Sequence, residues 1–343
     1  MPVADASDSR LEMLTRWVCD DLGFSDGTIA PASSDASFRR YFRVTRGSDT
    51  YIVMDAPPGK EDLGPFLKVA RILSDIGVNA PVVLARDNAR GLLLLSDLGT
   101  ELYLDSLRDA SAVERLYRDA LHALREIQTA DAALAADLPR YDHAMLMREM
   151  ELMPEWFLGR HLGLTLTAAQ RQMLDELFNA LSTAAASQPA VIVHRDYHSR
   201  NLLVTAELNP GIIDFQDAVW GPVTYDVASL LKDCYIAWPA PRVRGWVEEY
   251  RANLLERGFQ AGSEAEFLRG FDLIGLQRHI KVLGIFARLY YRDGKPGYLK
   301  DLPRVLDYTR AAAAAYPETA PFAKFITSHI DARFTEAQQR VMR

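Results

Sequence analysis

The chain of 343 residues carries 39 Lys and Arg against 46 Asp and Glu, a formal charge of −7, with 49% hydrophobic and 25% charged residues. That balance is ordinary for a globular protein, and the length points to two lobes rather than one core. An acidic chain without a basic run interleaved with aromatics is not built for nucleic acid, and no run approaches the roughly 18 apolar residues of a membrane span. Cys19 and Cys234 are far apart and have no metal-ligand spacing, which fits a reducing cytoplasm and argues against a disulfide framework. MPVADASDSR has no basic stretch followed by an apolar core, so no secretory leader is expected.

Ser7-Asp8-Ser9 can cap a helix bearing Leu11, Leu14, Val18 and Leu22, which Gly23 stops. From Thr28 to Pro57 the pattern changes to strands. Residues 38–45 alternate, 47–50 turn, and 51–56 form the next strand before Pro57-Pro58-Gly59. Ahead of them lies a small polar loop without glycine: Ser33, Ser34, Asp35, Ala36 and Ser37. Alone it reads as a hairpin turn, although small side chains also let backbone N–H groups approach a ligand. Phe66, Val69, Ala70, Leu73 and Ile76 recur at helical spacing, and Gly77 ends that helix. Residues 82–85 and 91–95 read as strands joined by a charged turn. Beyond Gly99 the chain is expected to be helical almost to its end, with helices over 113–127, 145–158 and 166–186. The methionines at 145, 147 and 150 read as core filler.

The informative stretch is VIVHRDYHSRNLLVTAELNPGIIDFQDAVWGPVTYD, residues 191–226. Two apolar runs, 191–193 and 211–213, read as short buried strands, each delivering a carboxylate at its end. Asn201 follows Asp196 by five residues, and Asp214 follows Asn201 by thirteen. Asx turns account for any one of these residues. Together they have the spacing of a phosphoryl-transfer centre, H-x-D-x-x-x-x-N followed by a metal-binding Asp. Such a centre positions groups and neutralises charge. Asp196 would accept the proton of the attacking hydroxyl. Asn201 and Asp214 would hold Mg²⁺ through oxygen. His194 would brace the loop.

The stretch resembles the aminoglycoside phosphotransferase family, small-molecule kinases of protein-kinase-like fold. The resemblance rests on His194 to Asn201, on Ile213-Asp214-Phe215, and on Gly221-Pro222 with Asp226, and it runs over roughly 10–316. FQDAVWGPVTYDVASLLKDCY and QRHIKVLGIFARLYYRDGKPGYLKDLPRVLDY are similar to one subgroup, the anomeric sugar kinases of bacterial cell-wall recycling. Those enzymes act on N-acetylmuramate and N-acetylglucosamine.

The resemblance implies an α+β bilobal fold. A five-stranded antiparallel N-lobe would occupy 1–96 and cover the nucleotide; a mainly helical C-lobe, 97–343, would bind the acceptor. It implies ATP and Mg²⁺, a small amino-sugar acceptor, and a monomer. Residues 33–37 would cover the phosphates, and Leu95, Ser96, Asp97 and Leu98 would read the adenine edge through backbone atoms. The third strand departs from the kinase pattern. Near Asp55, where kinases carry a phosphate-contacting Lys, there is none. Arg40, Arg43 or Lys60 could replace it, or Mg²⁺ could carry more of the charge; an arginine is favoured, and Arg43 is carried forward.

Asp226 would accept hydrogen bonds from the catalytic-loop backbone, and Pro222 would open a helix reaching about 236. Tyr197, His198, Gln216, Asp217 and Arg278 are placed at the acceptor. Asp217 stays open between metal ligand, acceptor contact and surface acid. Residues 241–334 read as about four helices. Among them Gln277, Arg278, His279, Lys281 and Arg288 would either meet an acidic sugar or form a solvated, ion-paired face. Two other readings stand beside the sugar kinase. One is a kinase of an aminoglycoside, choline-like alcohol or homoserine, with Asp217, Asp233, Glu248 and Glu249 available to a cationic acceptor. The other is a nucleotide-binding pseudokinase, suggested by the missing Lys.

Overall fold

In a computed structural model that describes residues 8–34 and 38–341, the chain forms two compact units. Residues up to Glu101 together with Leu203–Asp217 make the first; Leu102–Leu202 with Ala218–Arg343 make the second.

The first unit opens with α1 (Ser9–Arg16), capped by the Asp8 carboxylate on the Leu11 N–H at 3.1 Å. A π-helical turn, Trp17–Asp21, continues it. Five strands follow: β1 (Thr28–Ser34), β2 (Arg40–Arg46), β3 (Asp49–Asp55), then, after α2 (Leu63–Ile76), β4 (Val83–Asp87) and β5 (Leu92–Ser96). They form the expected antiparallel sheet, in the order β1-β2-β3-β5-β4. Period-2 alternation sorts their side chains. Phe42, Val44, Val53, Leu92 and Leu94 pack under Leu14, Trp17 and Val18, while Met54, Leu93 and Leu95 are buried on the opposite face. Asp62 caps α2 through the Gly64 N–H, and Gly77 ends it at φ +87°.

The second unit contains α3 (Tyr103–Ser106), α4 (Val113–Gln128), α5 (His143–Met150), α6 (Ala168–Ala186) and the strand β6 (Ala190–Val193). Next comes a ribbon of β7 (Leu202–Leu203) and β8 (Gly211–Ile212), along which the chain passes between units. Then follow β9 (Val219–Pro222), α7 (Tyr225–Leu231), α8 (Ala240–Glu256), α9 (Glu264–Tyr291), α10 (Leu302–Ala314), α11 (Ala320–Phe325) and α12 (Asp331–Val341). The 28-residue α9 packs against α5, α6, α7, α8 and α10 and is the spine of this unit. A Ser263–Glu266 capping box starts it.

Three elements differ from expectation. Pro222 does not open a helix. It ends β9, opposite Ala190 on β6, where a strand end does not need its missing N–H. The helix starts at Tyr225 and stops at Leu231, because Lys232 leaves helical geometry (φ −117°, ψ 46°). The helix expected over 145–158 is interrupted. Pro154 cannot donate to the preceding turn, and Met153–His161 runs on as a π-helix.

Candidate active site

β6 and β9 pair with Val193 opposite Val219, so His194 leaves the sheet at a defined point. The loop after it is fastened to α7. The His194 N–H donates to Asp226 Oδ2 at 2.6 Å, and the Arg195 N–H donates to Asp226 Oδ1 at 3.0 Å. Arg195 stands at φ +76°. The Asp196 N–H donates to His194 Nδ1 at 3.3 Å, and the Asn201 side-chain amide donates to the Asp196 carbonyl at 2.9 Å. That last bond closes the loop and sets which end of the Asn201 amide is nitrogen. A second carboxylate fastens the loop from the other side. Asp233 accepts from the Ser199 N–H at 3.0 Å, the Ser199 hydroxyl at 2.5 Å and the Tyr235 N–H at 2.8 Å. The early end of α7 is what brings Asp233 there.

Asp196 is half-buried. Burial works to raise its pKa, but Lys281 leads the cations that oppose it, ahead of His198, Arg278 and Arg195, and holds the carboxyl down at about 2. It is therefore ionised at neutral pH, the state a proton acceptor needs. Burial pushes the pKa of His198 down, against the pull of Asp233 and Asp196, which act to raise it.

α9 supplies the cations. Gln277, Arg278 and Lys281 share one side by helical spacing, and all are buried. This is not a solvated face. Arg278 donates to Cys234 Sγ at 3.3 Å, and Lys281 pairs with Glu149 on α5 at 3.0 Å. His279 turns elsewhere, stacking on Tyr308 and bonding to the Lys232 carbonyl.

Tyr197, expected at the acceptor, is a core anchor instead. Its side chain is fully buried, and its hydroxyl donates to the Ala120 carbonyl of α4 at 2.8 Å. Glu149 and Asp233 are the site residues that sequence reasoning missed in their real roles. The signal available for Glu149 was an acid between Leu146, Met147 and Met150 on an apolar helix side.

In the first unit, Asp214 follows β8 at φ +63°, and Gln216 Nε2 donates to its Oδ1 at 2.8 Å. Phe215 between them is buried against Phe66 of α2, centroids 4.8 Å apart. Gln216 is buried, while Asp217 is exposed. Asp214, in the first unit, offers a carboxylate and Asn201, in the second, an amide; both are oxygen donors of the kind that suits Mg²⁺, a cation that fills its remaining positions with water and phosphate. Among the described residues no three His, Cys, Asp or Glu side chains gather as a metal site.

Also in this unit, the Ser96 N–H is engaged by the Val82 carbonyl at 2.9 Å, and Leu95 is buried. Asp97 accepts from the Arg43 guanidinium at 2.6 and 3.0 Å and from the Gly99 N–H at 3.0 Å. Two of the expected nucleotide residues thus hold each other. Arg40 lies on the α1 face of the sheet, bonded to Asp8 and, at 2.7 Å, to Asp55, which Arg10 also grips. The carboxylate near the usual lysine position is therefore a buried tie between α1, β2 and β3. Lys60 lies 4.8 Å over the Phe38 ring. Arg39, next to the candidates considered from sequence, pairs with Glu61 at 3.2 Å. Asp35, Ala36 and Ser37 of the small polar loop lie outside the described residues; Ser33 and Ser34 end β1.

A family model described as the phosphotransferase enzyme family matches residues 28–268. A Pseudomonas putida protein named N-acetylmuramate/N-acetylglucosamine kinase is 45% identical over 330 residues, 93% of this chain and 96% of the relative. Proteins of the same name from Pseudomonas aeruginosa and Neisseria meningitidis are 46% and 40% identical, over 94% and 90% of this chain and 98% and 92% of their own lengths. Among solved structures, a Plasmodium vivax ethanolamine kinase matches with a TM-score of 0.65 at 13% identity, covering 89% of this chain and 90% of its own. An ADP-bound aminoglycoside phosphotransferase matches at 0.59 and 16% identity, covering 88% and 97%. At those identities the two structures speak for the protein-kinase-like fold alone. With the family match and these relatives set beside a loop that presents an ionised Asp196 and an oriented Asn201, the chain belongs to the phosphotransferase enzyme family.

Proposed function

We propose that this chain is an ATP-dependent kinase of N-acetylmuramate and N-acetylglucosamine that phosphorylates the anomeric hydroxyl. The observation that carries the reading is near-full-length identity to kinases named for those sugars, at 45% and 46%. The intact loop from His194 to Asn201 supports it from the chemical side.

Asp196 accepts the proton of the sugar O1 hydroxyl as that oxygen bonds to the γ-phosphorus. The bond from the γ-phosphorus to the β-bridging oxygen breaks, and ADP leaves. Asp196 later releases its proton to solvent. The low pKa of Asp196 suits an acceptor whose hydroxyl is already more acidic than other sugar hydroxyls. Mg²⁺, which Asn201 and Asp214 would hold, supplies charge neutralisation on the triphosphate when bound. Asp226, Asp233 and His194 keep the loop in shape. His198, Gln216 and Arg278 are assigned to the acceptor, with Arg278 meeting a carboxylate where the sugar has one. Asp217, exposed, is assigned to the same region. Leu95, Asp97, Leu98 and Arg43 are assigned to the nucleotide side, with the segment 33–37. The nucleotide-covering part is taken as 1–96 and the acceptor-binding part as 97–343. No helix among the described residues is long and apolar enough to cross a membrane, and we place the enzyme in the cytoplasm, where ATP is, as a monomer.

A polycationic acceptor is disfavoured. Asp233 is buried, with one oxygen bonded to Ser199 of the catalytic loop and the other to the Tyr235 N–H, and Glu248 pairs with Arg244 at 2.6 Å. A pseudokinase is disfavoured because Asp196 stays ionised and Asn201 is oriented.

The test is phosphorus NMR of ATP with each sugar. The expected product signals are a sugar 1-phosphate and ADP. Asp196→Asn should lower kcat by roughly 10²–10⁴-fold with little change in the KM for ATP. An unchanged kcat in that variant, or ATP consumed only with an amino alcohol or aminoglycoside, would overturn the reading.

A further inference from the structure

Arg195 precedes the catalytic base and adopts φ +76°, a conformation glycine takes freely and an L side chain resists. The side chain at that strained position has a specific task. Its Nη2 donates to Glu149 Oε1 at 2.5 Å, and its guanidinium lies 5.7 Å over the Tyr141 ring. Tyr141 donates its hydroxyl to the other Glu149 oxygen. Lys281 from α9 reaches Glu149 Oε1 at 3.0 Å and the Tyr225 hydroxyl at 3.3 Å, and Gln277 Nε2 stands 3.5 Å from Glu149 Oε2. One buried carboxylate on α5 thus gathers the catalytic loop, α9 and the segment before α5.

We propose that Glu149 is a positioning residue for Asp196: it anchors Arg195, and so the backbone that carries Asp196, and it holds Lys281 so that this ammonium does not close onto Asp196 as a direct ion pair. The proposal rests on the reading of Asp196 as the base. Its physical core is charge balance in a desolvated space. Lys281 is the leading cation felt by Asp196, ahead of His198, Arg278 and Arg195, and Asp226 is the further acid beside it. Both Lys281 and Arg195 also feel the Asp196 charge; without Glu149 that attraction is unopposed by a second carboxylate of theirs, and a base locked in such a pair cannot accept a proton.

Three variants test this. Glu149→Gln keeps the shape and removes the charge; kcat should fall at least about tenfold, with the KM for ATP within about twofold. Adding Lys281→Met should recover much of the lost kcat, a non-additivity that mere loss of packing would not produce. Arg195→Gly relieves the backbone strain and should still lower kcat. Wild-type kcat in Glu149→Gln, or additive losses in the double variant, would overturn the proposal. If Glu149→Gln fails to fold, Arg195→Gly decides alone, and wild-type turnover there would refute it. A measurement without acceptor separates this from the sugar assignment. Hydrogen exchange at the Arg195 and Asp196 amides, which are bonded to Asp226 and His194, should quicken in Glu149→Gln. That result stands whether or not amino sugars are the substrates, and unchanged exchange would count against Glu149 as the anchor of this backbone.

Discussion

At the level of single residues, the chemistry-bearing groups follow from local motif, and the groups that hold them do not. Asp196, Asn201 and Asp214 could be picked out because phosphoryl transfer demands those types at those intervals. Asp233 could not be given its role, because an acid inside a helix expected to reach about 236 says nothing until the helix is seen to stop at Leu231. Tyr197 looked like an acceptor contact by adjacency to Asp196, yet one residue along an irregular loop is enough to turn a ring into the core. Asp226 yields a pH prediction. Burial pushes its carboxyl up to about 7, outweighing the two N–H bonds from His194 and Arg195 that act to lower it. A folded-state pKa above the unfolded value means that the folded protein binds more protons. The contribution to stability is then full below about pH 4 and is lost as pH rises through 7. Denaturant unfolding of wild type and Asp226→Asn across that range should show the wild-type advantage shrinking with rising pH; a constant difference would refute the shift.

At the level of elements, periodicity located the strands and most helices, since alternation and 3.6-residue spacing are properties of local sequence. Boundaries moved where tertiary contacts intervene. Pro222 is good helix-opening chemistry in isolation, but β6 recruits it as a strand end, and Gly221 beside it lets Tyr141 come close: an added Cβ would lie 2.8 Å from Tyr141 Cβ. The polar residues of α9 were equally consistent with water or with burial, because a helix carries no label for which side meets a neighbour. The neighbours α5 and α7 decided for burial. Close packing along α9 gives a second prediction. A Cβ on Gly284 would lie 2.3 Å from the Leu152 backbone carbon, just before the π-helical turn Met153–His161. Backbone cannot step aside as a side chain can, so Gly284→Ala should cost about 1–3 kcal/mol or more, read as a lower denaturation midpoint at unchanged m-value.

At the level of the molecule, the compact units do not follow chain order. Leu203–Asp217, which carries Asp214, belongs with the sheet unit, whereas Asp196 and Asn201 belong with the helical unit. A nucleotide that engages the chain as proposed should stabilise the folded state by mass action, about 2.7 kcal/mol at a hundredfold excess over its Kd. Thermal unfolding should therefore shift upward with ATP and Mg²⁺, less with ATP and a chelator, and Asp214→Asn should lose the magnesium-dependent part. Equal shifts with and without magnesium would remove Asp214 from the metal site. By itself the sequence determined the reaction class, the antiparallel sheet and the acid–amide–acid spacing, because those depend on residue type and interval along a short stretch. Only the tertiary structure decided that Asp55 is a tie between two arginines, that Arg43 is held by Asp97, and that Glu149 gathers Arg195 and Lys281. Those pairings join residues from 15 to 132 positions apart, and a charge chooses its partner by distance in space, to which interval along the chain gives no guide.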